Sequence, residues 1–164
     1  MHHVALDASV LINFLILERN DILGTLRNHR FFVLARVEEE VRRPKQRATL
    51  FEAIDQGFVR RAPPPTPGEV LLARRHEAAM GRGEAACLAA AEYRDWLFAC
   101  DERRTVRRIA IDRIGEGRVL TTAGILVRAI RGRIVTVSEA DELKVILEGN
   151  RFRLNFRSFA DYLP

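Results

Sequence analysis

Lysine is almost missing from this chain: of its 27 basic residues only Lys45 and Lys144 are lysines. A phosphotransferase or receiver-type site needs a lysine beside its aspartate. Neither lysine follows an apolar strand-like run, so that class is disfavoured. No Gly-x-x-x-x-Gly-Lys-Ser/Thr loop exists, which excludes a P-loop nucleotidase. Cysteine is scarce too: Cys87 and Cys100 lack zinc-site spacing and are expected as small buried thiols in a reducing compartment. The four histidines (His2, His3, His29, His76) show no HxxxH or HxxE pattern and are expected at the surface. Long apolar runs are absent as well. The longest, Val10 to Leu17, is interrupted by Asn13 and falls far below the ~20 residues that span a bilayer. The start, Met1-His2-His3-Val4, lacks the basic and apolar regions of a signal peptide. A cytoplasmic protein with no membrane partner is therefore expected.

What is present is the balance of a folded domain: 48% hydrophobic and 30% charged residues in a chain of 164, enough to bury one core. Residues 1–164 are read as a single domain, without internal repeats or low-complexity segments. The net charge is +5, carried by arginine, whose planar fork binds phosphate bidentately and stacks on bases. That suits a nucleic-acid partner, and an arginine-biased composition with ordinary solvated faces accounts for it equally well.

Short apolar runs alternate with amphipathic stretches. Strands are expected at His3–Leu6, Phe31–Leu34, Trp96–Cys100 and Arg118–Leu120, with an edge strand at Phe58–Arg60. Helices are expected after Ser9 (as cap) to Leu17, from Arg36 to before Pro44, and over Gln46–Gln56. The proline-rich loop Ala62–Gly68 leads into a helix to Ala79 through the capping box Thr66-Pro67-Gly68-Glu69. Further helices are expected from Glu84 to about Arg94, and over Arg103–Ile114, Ala123–Ile130 and Glu139–Leu147. The aromatic-rich tail, Phe152 to Leu163, suggests no definite element. Strands separated by single helices require parallel crossovers. The expected fold is a three-layer α/β/α sandwich with a central, mostly parallel sheet, onto which residues 123–164 pack as C-terminal helical elements.

In such a sheet functional groups gather beyond the carboxyl ends of the strands. Asp7 and Asp101 each stand there, immediately after an apolar run. Glu84 approaches from the opposite direction: its helix rises roughly 15 Å and the strand that follows returns roughly 16 Å, bringing Asp101 back to the level of Glu84. Glu40 lies one turn into the helix after the second strand. Each acid also has an ordinary use: Asp7 or Asp101 as a helix cap, Glu84 in a first helical turn, Glu40 on a solvated Glu38-Glu39-Glu40 face. Four carboxylates at one rim repel unless neutralised, and oxygen-only donors favour Mg²⁺ or Mn²⁺.

The segments carrying these acids, Val4-Ala5-Leu6-Asp7-Ala8-Ser9-Val10-Leu11-Ile12, Val37-Glu38-Glu39-Glu40-Val41, Gly81-Arg82-Gly83-Glu84-Ala85-Ala86 and Leu97-Phe98-Ala99-Cys100-Asp101-Glu102, resemble a PIN domain. With Thr121-Thr122-Ala123-Gly124-Ile125-Leu126 and Arg131-Gly132, the chain resembles a longer subgroup among the VapC-type toxin ribonucleases. The resemblance implies a PIN-like fold and a Mg²⁺- or Mn²⁺-dependent endoribonuclease cutting single-stranded or loop RNA. It implies Asp7, Glu84 and Asp101 as the main metal ligands, and Glu40 as a fourth catalytic acid, a ligand directly or through water that helps orient the attacking water. Ser9, Thr122 and Glu102 would surround the ligands, with Thr122 also placed to contact phosphate. Arg103 and Arg104, beside this rim, are candidates for RNA phosphate contacts, and a solvated basic helix start accounts for them equally well. Because Glu102 stands where many relatives have Asp or Asn, and Thr121-Thr122 offers hydroxyls, one ion is expected rather than two. Partners implied by the resemblance are a cognate antitoxin and a second copy of the chain. The exposed part of Val10–Leu17 is one candidate interface, although a core helix is the commoner use of such a run. The competing reading is a PIN-like protein that binds RNA or a partner without cutting. Gly81-Arg82-Gly83 follows no strand, which argues against a dinucleotide site.

Overall fold

The computed structural model describes residues 1–102 and 104–163. Among these, five strands form one all-parallel sheet: β1 (His2–Leu6), β2 (His29–Val33), β3 (Arg60–Arg61), β4 (Leu97–Ala99) and β5 (Val119–Leu120). Their spatial order is β3-β2-β1-β4-β5. Sequence explains the order. Val4, Ala5 and Leu6 of β1 are wholly buried, as a central strand covered on both faces must be, whereas the two arginines of β3 are tolerable only at an edge.

The helices are α1 (Ala8–Leu17), α2 (Asp21–Thr25), α3 (Ala35–Glu40), α4 (Pro44–Asp55), α5 (Pro67–His76), α6 (Arg82–Arg94), α7 (Thr105–Ile114), α8 (Thr122–Arg131) and α9 (Val137–Gly149). In one layer α1 packs on α4 and α9, with α8 against α9; in the other α6 packs on α5 and α7. Helix α3 touches both α1 and α6. This is the expected three-layer α/β/α sandwich. No helix among the described residues is long and apolar enough to cross a membrane.

The chain moves outward from β1 to β2 and β3, then returns to the other side of β1 as β4. The order thus reverses between β1 and β4, and in open parallel sheets the crevice beyond that reversal is where ligands bind. Backbone bonds carry the ladder past the strands: Asp7 N donates to Ala99 O at 2.9 Å and Cys100 N to Leu120 O at 2.9 Å. Helix α6 is held firmly at one end. At its carboxyl end Asp95 adopts a left-handed conformation (φ 58°), and the Arg118 guanidinium donates to Ala91 O (2.6 Å) and Trp96 O (2.7 Å). Its last residue, Arg94, pairs with buried Glu69 (2.5 Å) and donates to the carbonyls of Pro63 and Pro64, fastening the proline loop. The Thr66–Glu69 capping box forms in both directions.

Several local expectations change. Asp7, rather than Ser9, caps α1. Pro44 does not merely end α3 but opens α4 as its first residue, where its missing N–H has no cost. Strand β4 spans three residues, not five, and α7 starts at Thr105. His76 is buried rather than at the surface: its ring lies 3.1 Å from Glu92, which Arg113 also engages, so α5, α6 and α7 are tied together. The apolar residues Val10, Leu11, Phe14, Leu15 and Leu17 are spent on the core.

Candidate metal centre

The site grows from the ends of β1 and β4. Asp7 is only 3% exposed, and its Oδ2 accepts hydrogen bonds from Ser9 N (3.1 Å) and Ser9 Oγ (2.6 Å). Ser9 Oγ accepts from Asp101 N at 3.1 Å, so one hydroxyl joins the two strand ends.

Asp101 is held on both oxygens. Oδ1 accepts from Thr122 N (2.8 Å), and Oδ2 from Thr122 Oγ1 (2.5 Å) and Asn13 Nδ2 (3.0 Å). Asn13 also donates to Thr122 Oγ1 at 3.2 Å, closing a triangle between α1, α8 and β4. Burial pushes the Asp101 carboxyl above its ordinary value, the bonds from Thr122 and Asn13 pull it part of the way back, and the charge of Asp7 adds to the rise.

On the other side, ligand atoms of Asp7, Glu84 and Cys100 all lie within 4.8 Å of one another. Glu84 is oriented by Gly81 N, which donates to its Oε2 at 2.9 Å. Burial raises its carboxyl, and the charges of Asp7, Glu102 and Glu40 raise it further. Glu40 is raised by burial and by Asp7, against a bond from the Gly83 backbone. Gly83 is what lets it approach: a Cβ there would lie 2.1 Å from Glu40 Oε1. The glycine of the Gly-Arg-Gly-Glu segment is therefore a steric requirement of this corner.

Cys100 is buried, and its Sγ donates toward Asp7 Oδ2 at 3.8 Å. Burial and the neighbouring Asp7 charge push the thiol well up, so it stays protonated. A neutral thiol is a poor ligand for a hard cation, which leaves carboxylate oxygens as the donor set. The charge of Asp7 helps raise the carboxyls of Glu84, Glu40 and Asp101, and a divalent ion would relieve that repulsion. The residues fit such an ion.

Consecutive residues of an extended chain point to opposite sides. Cys100 accordingly meets Asp7 and Glu84, Asp101 turns to Thr122 and Asn13, and the charge of Glu102 is felt by Glu84. Of the expected residues, Asp7 and Glu84 meet directly, Glu40 joins them through charge, and Ser9 and Thr122 hold carboxylates. Glu102 and Arg104 are exposed, Arg104 just before α7, and Arg103 lies outside the described residues. Sequence reading missed Asn13 and Cys100 as site residues. The polar break that Asn13 makes in the Val10–Leu17 run was the signal for the first. Cys87 is wholly buried, as expected, with its Sγ donating to Leu6 O.

A search of curated proteins finds no match to the chain. The sequence profile of the PIN-domain family, whose members are generally metal-dependent nucleases, matches residues 3–163. An all-parallel β3-β2-β1-β4-β5 sheet, carboxylates gathered where its order reverses, and a match over nearly its whole length make this chain a member of the PIN-domain family.

Proposed function

We propose that the protein is a Mg²⁺- or Mn²⁺-dependent endoribonuclease acting on single-stranded or loop RNA. The observation that carries this reading is the juxtaposition of Asp7 and Glu84 at the sheet's reversal point, with Glu40 and Glu102 close enough to raise Glu84. Asp7 and Glu84 would hold the ion, with Asp101 completing the ligand set and one ion preferred to two. A bound ion supplies Lewis-acid polarisation of the phosphodiester and a more acidic water. The chain's own residues do the rest. Glu40, whose carboxyl is raised by burial and by the charge of Asp7, orients the attacking water and takes its proton. Thr122 and Asn13 fix Asp101, and Ser9 fixes Asp7, so the carboxylates are positioned before substrate arrives. Arg104 is an exposed candidate for RNA phosphate at the same rim.

In this reading residues 1–164 act as one cytoplasmic nuclease domain. Its C-terminal elements are seated by α9, which packs on α1 and α8. The resemblance to VapC-type proteins supports reading it as a toxin with a cognate antitoxin as partner, and a second copy as a further partner. The test is cleavage of a mixed RNA pool with Mn²⁺, with cut ends mapped. Wild type should cut and stop in EDTA, and Asp7→Asn and Glu84→Gln should stay folded and inactive. Binding that shifts RNA equally with Mn²⁺ and EDTA, without cleavage, would establish the non-catalytic reading instead.

A further inference from the structure

The nuclease reading leaves one conspicuous feature unused: the aromatic tail. It folds back against α9, where Asp141 accepts from Ser158 Oγ (2.6 Å) and Phe159 N (2.8 Å) and Phe159 is wholly buried. From this anchor Phe156 packs edge-on against both Phe159 (4.9 Å) and Tyr162 (4.7 Å). A cavity of about 410 Å³ opens beside them. It is lined by Asp101 and Glu102 from the rim and by Phe152, Asn155, Phe156 and Tyr162 from the tail. The tail therefore builds a compartment that shares residues with the carboxylate rim.

Its chemistry selects one kind of occupant. Tyr162 is 51% exposed and lines the cavity. Asn155 is exposed and makes no side-chain hydrogen bond among the described residues, so an amide donor and acceptor stand ready beside the rings. The acidic residues in its lining disfavour a phosphate inside the cavity but not a neutral heterocycle. Arg107, which also lines the cavity and pairs at 3.7 Å with exposed Glu116, is placed for the adjoining phosphate. Flat π surface beside a hydrogen-bonding amide is how proteins hold an unstacked base of a single strand.

We infer that the cavity between the tail and the Asp101–Glu102 rim is a nucleobase subsite, which holds one base of the RNA strand whose neighbouring phosphodiester lies at the carboxylates. Tyr162, steadied by the edge-on contact with Phe156, is the stacking ring, and Asn155 reads the base edge. This rests on the nuclease reading for its substrate, but not for its test. The experiment measures binding of a short single-stranded RNA in EDTA, intact or with one abasic position scanned along it. It compares wild type, Tyr162→Ala, Tyr162→Phe and Asn155→Ala. Wild type should lose affinity sharply at one abasic position. Tyr162→Ala should weaken binding of the intact strand roughly 5- to 150-fold, the range for one lost base stack, with no further loss on the abasic strand. Tyr162→Phe, which keeps the ring, should bind as wild type. Intact-strand affinity unchanged in both Tyr162→Ala and Asn155→Ala, or an equal loss on the abasic strand, overturns the subsite. Cleavage with Mn²⁺ is scored separately. Base-dependent binding without cleavage keeps the subsite and sinks the nuclease, whereas cleavage with a base preference indifferent to Tyr162→Ala sinks the subsite alone.

Discussion

Gly83→Ala separates the site from the scaffold. The new Cβ would lie 2.1 Å from Glu40 Oε1 and 2.9 Å from its Cδ, where ordinary contact begins near 3.4 Å. Glu40 must therefore retreat by more than an ångström. Its side chain is exposed enough to do so, so the protein should fold. Gly83 is the second residue of α6, and its φ is not positive, so alanine fits the backbone. The helix gains up to about 1 kcal/mol of intrinsic propensity, less in a first turn. Function should move the other way, because misplacing a catalytic group by ~1 Å costs on the order of 100-fold. The assay pairs thermal melting without metal against RNA cleavage at saturating Mn²⁺. A Tm equal to or above wild type with activity about 100-fold lower is expected. Full activity in a folded Gly83→Ala would refute the placement of Glu40 in the mechanism.

Three further outcomes follow from the same geometry. Glu69→Ala, which strands Arg94 and unfastens the proline loop, should cost about 3 kcal/mol in chemical denaturation at pH 7. Burial raises the Glu69 carboxyl, but bonds from Arg94 and Thr66 outweigh it and hold the group below its ordinary value of 4.5. The stability it contributes is thus fully present above that value and lost as pH falls through the lower folded-state value; a wild-type-to-variant gap that stays constant down to strong acid would contradict this. Thr122→Val removes the hydroxyl on Asp101 Oδ2 and should destabilise by about 1–3 kcal/mol, with Mn²⁺ affinity falling roughly 10- to 100-fold; lost stability with unchanged affinity would confine Asp101 to the fold. Cys87 and Cys100, both buried with thiols pushed up, should resist alkylation in the native protein and react only on unfolding.

Much of this architecture can be read from patterns that are local. Apolar runs ending in Asp7 and Asp101 mark strand ends, and the capping box at Thr66 is self-contained within four residues. Helix and strand lengths return the chain to the level of Glu84, because rise per residue is fixed by backbone geometry. Length fixes level but not side. That Cys100 meets Glu84 while Asp101 turns to Thr122 depends on extended geometry persisting beyond the three residues of β4. Ser9 looked like the cap of α1, but the cap is the preceding acid, which also belongs to the site. His76 is buried against Glu92, 16 positions away, which Arg113 in turn engages, and nothing near it in sequence announces them. The tail is ordered by Asp141, a residue 17 positions before Ser158. Tertiary partners of this kind leave no periodic trace.

The central claim is that these acids form one cation site, and the most direct measurement is melting with and without Mn²⁺. An ion that binds only the folded state at a hundredfold excess over Kd stabilises by about 2.7 kcal/mol, or roughly 5–10 °C in Tm for a chain of this size. The account predicts that rise for wild type, its reversal by EDTA, and its loss in Asp7→Asn and Glu84→Gln. A wild-type Tm that does not move at saturating Mn²⁺, or an equal rise in Asp7→Asn, would contradict it.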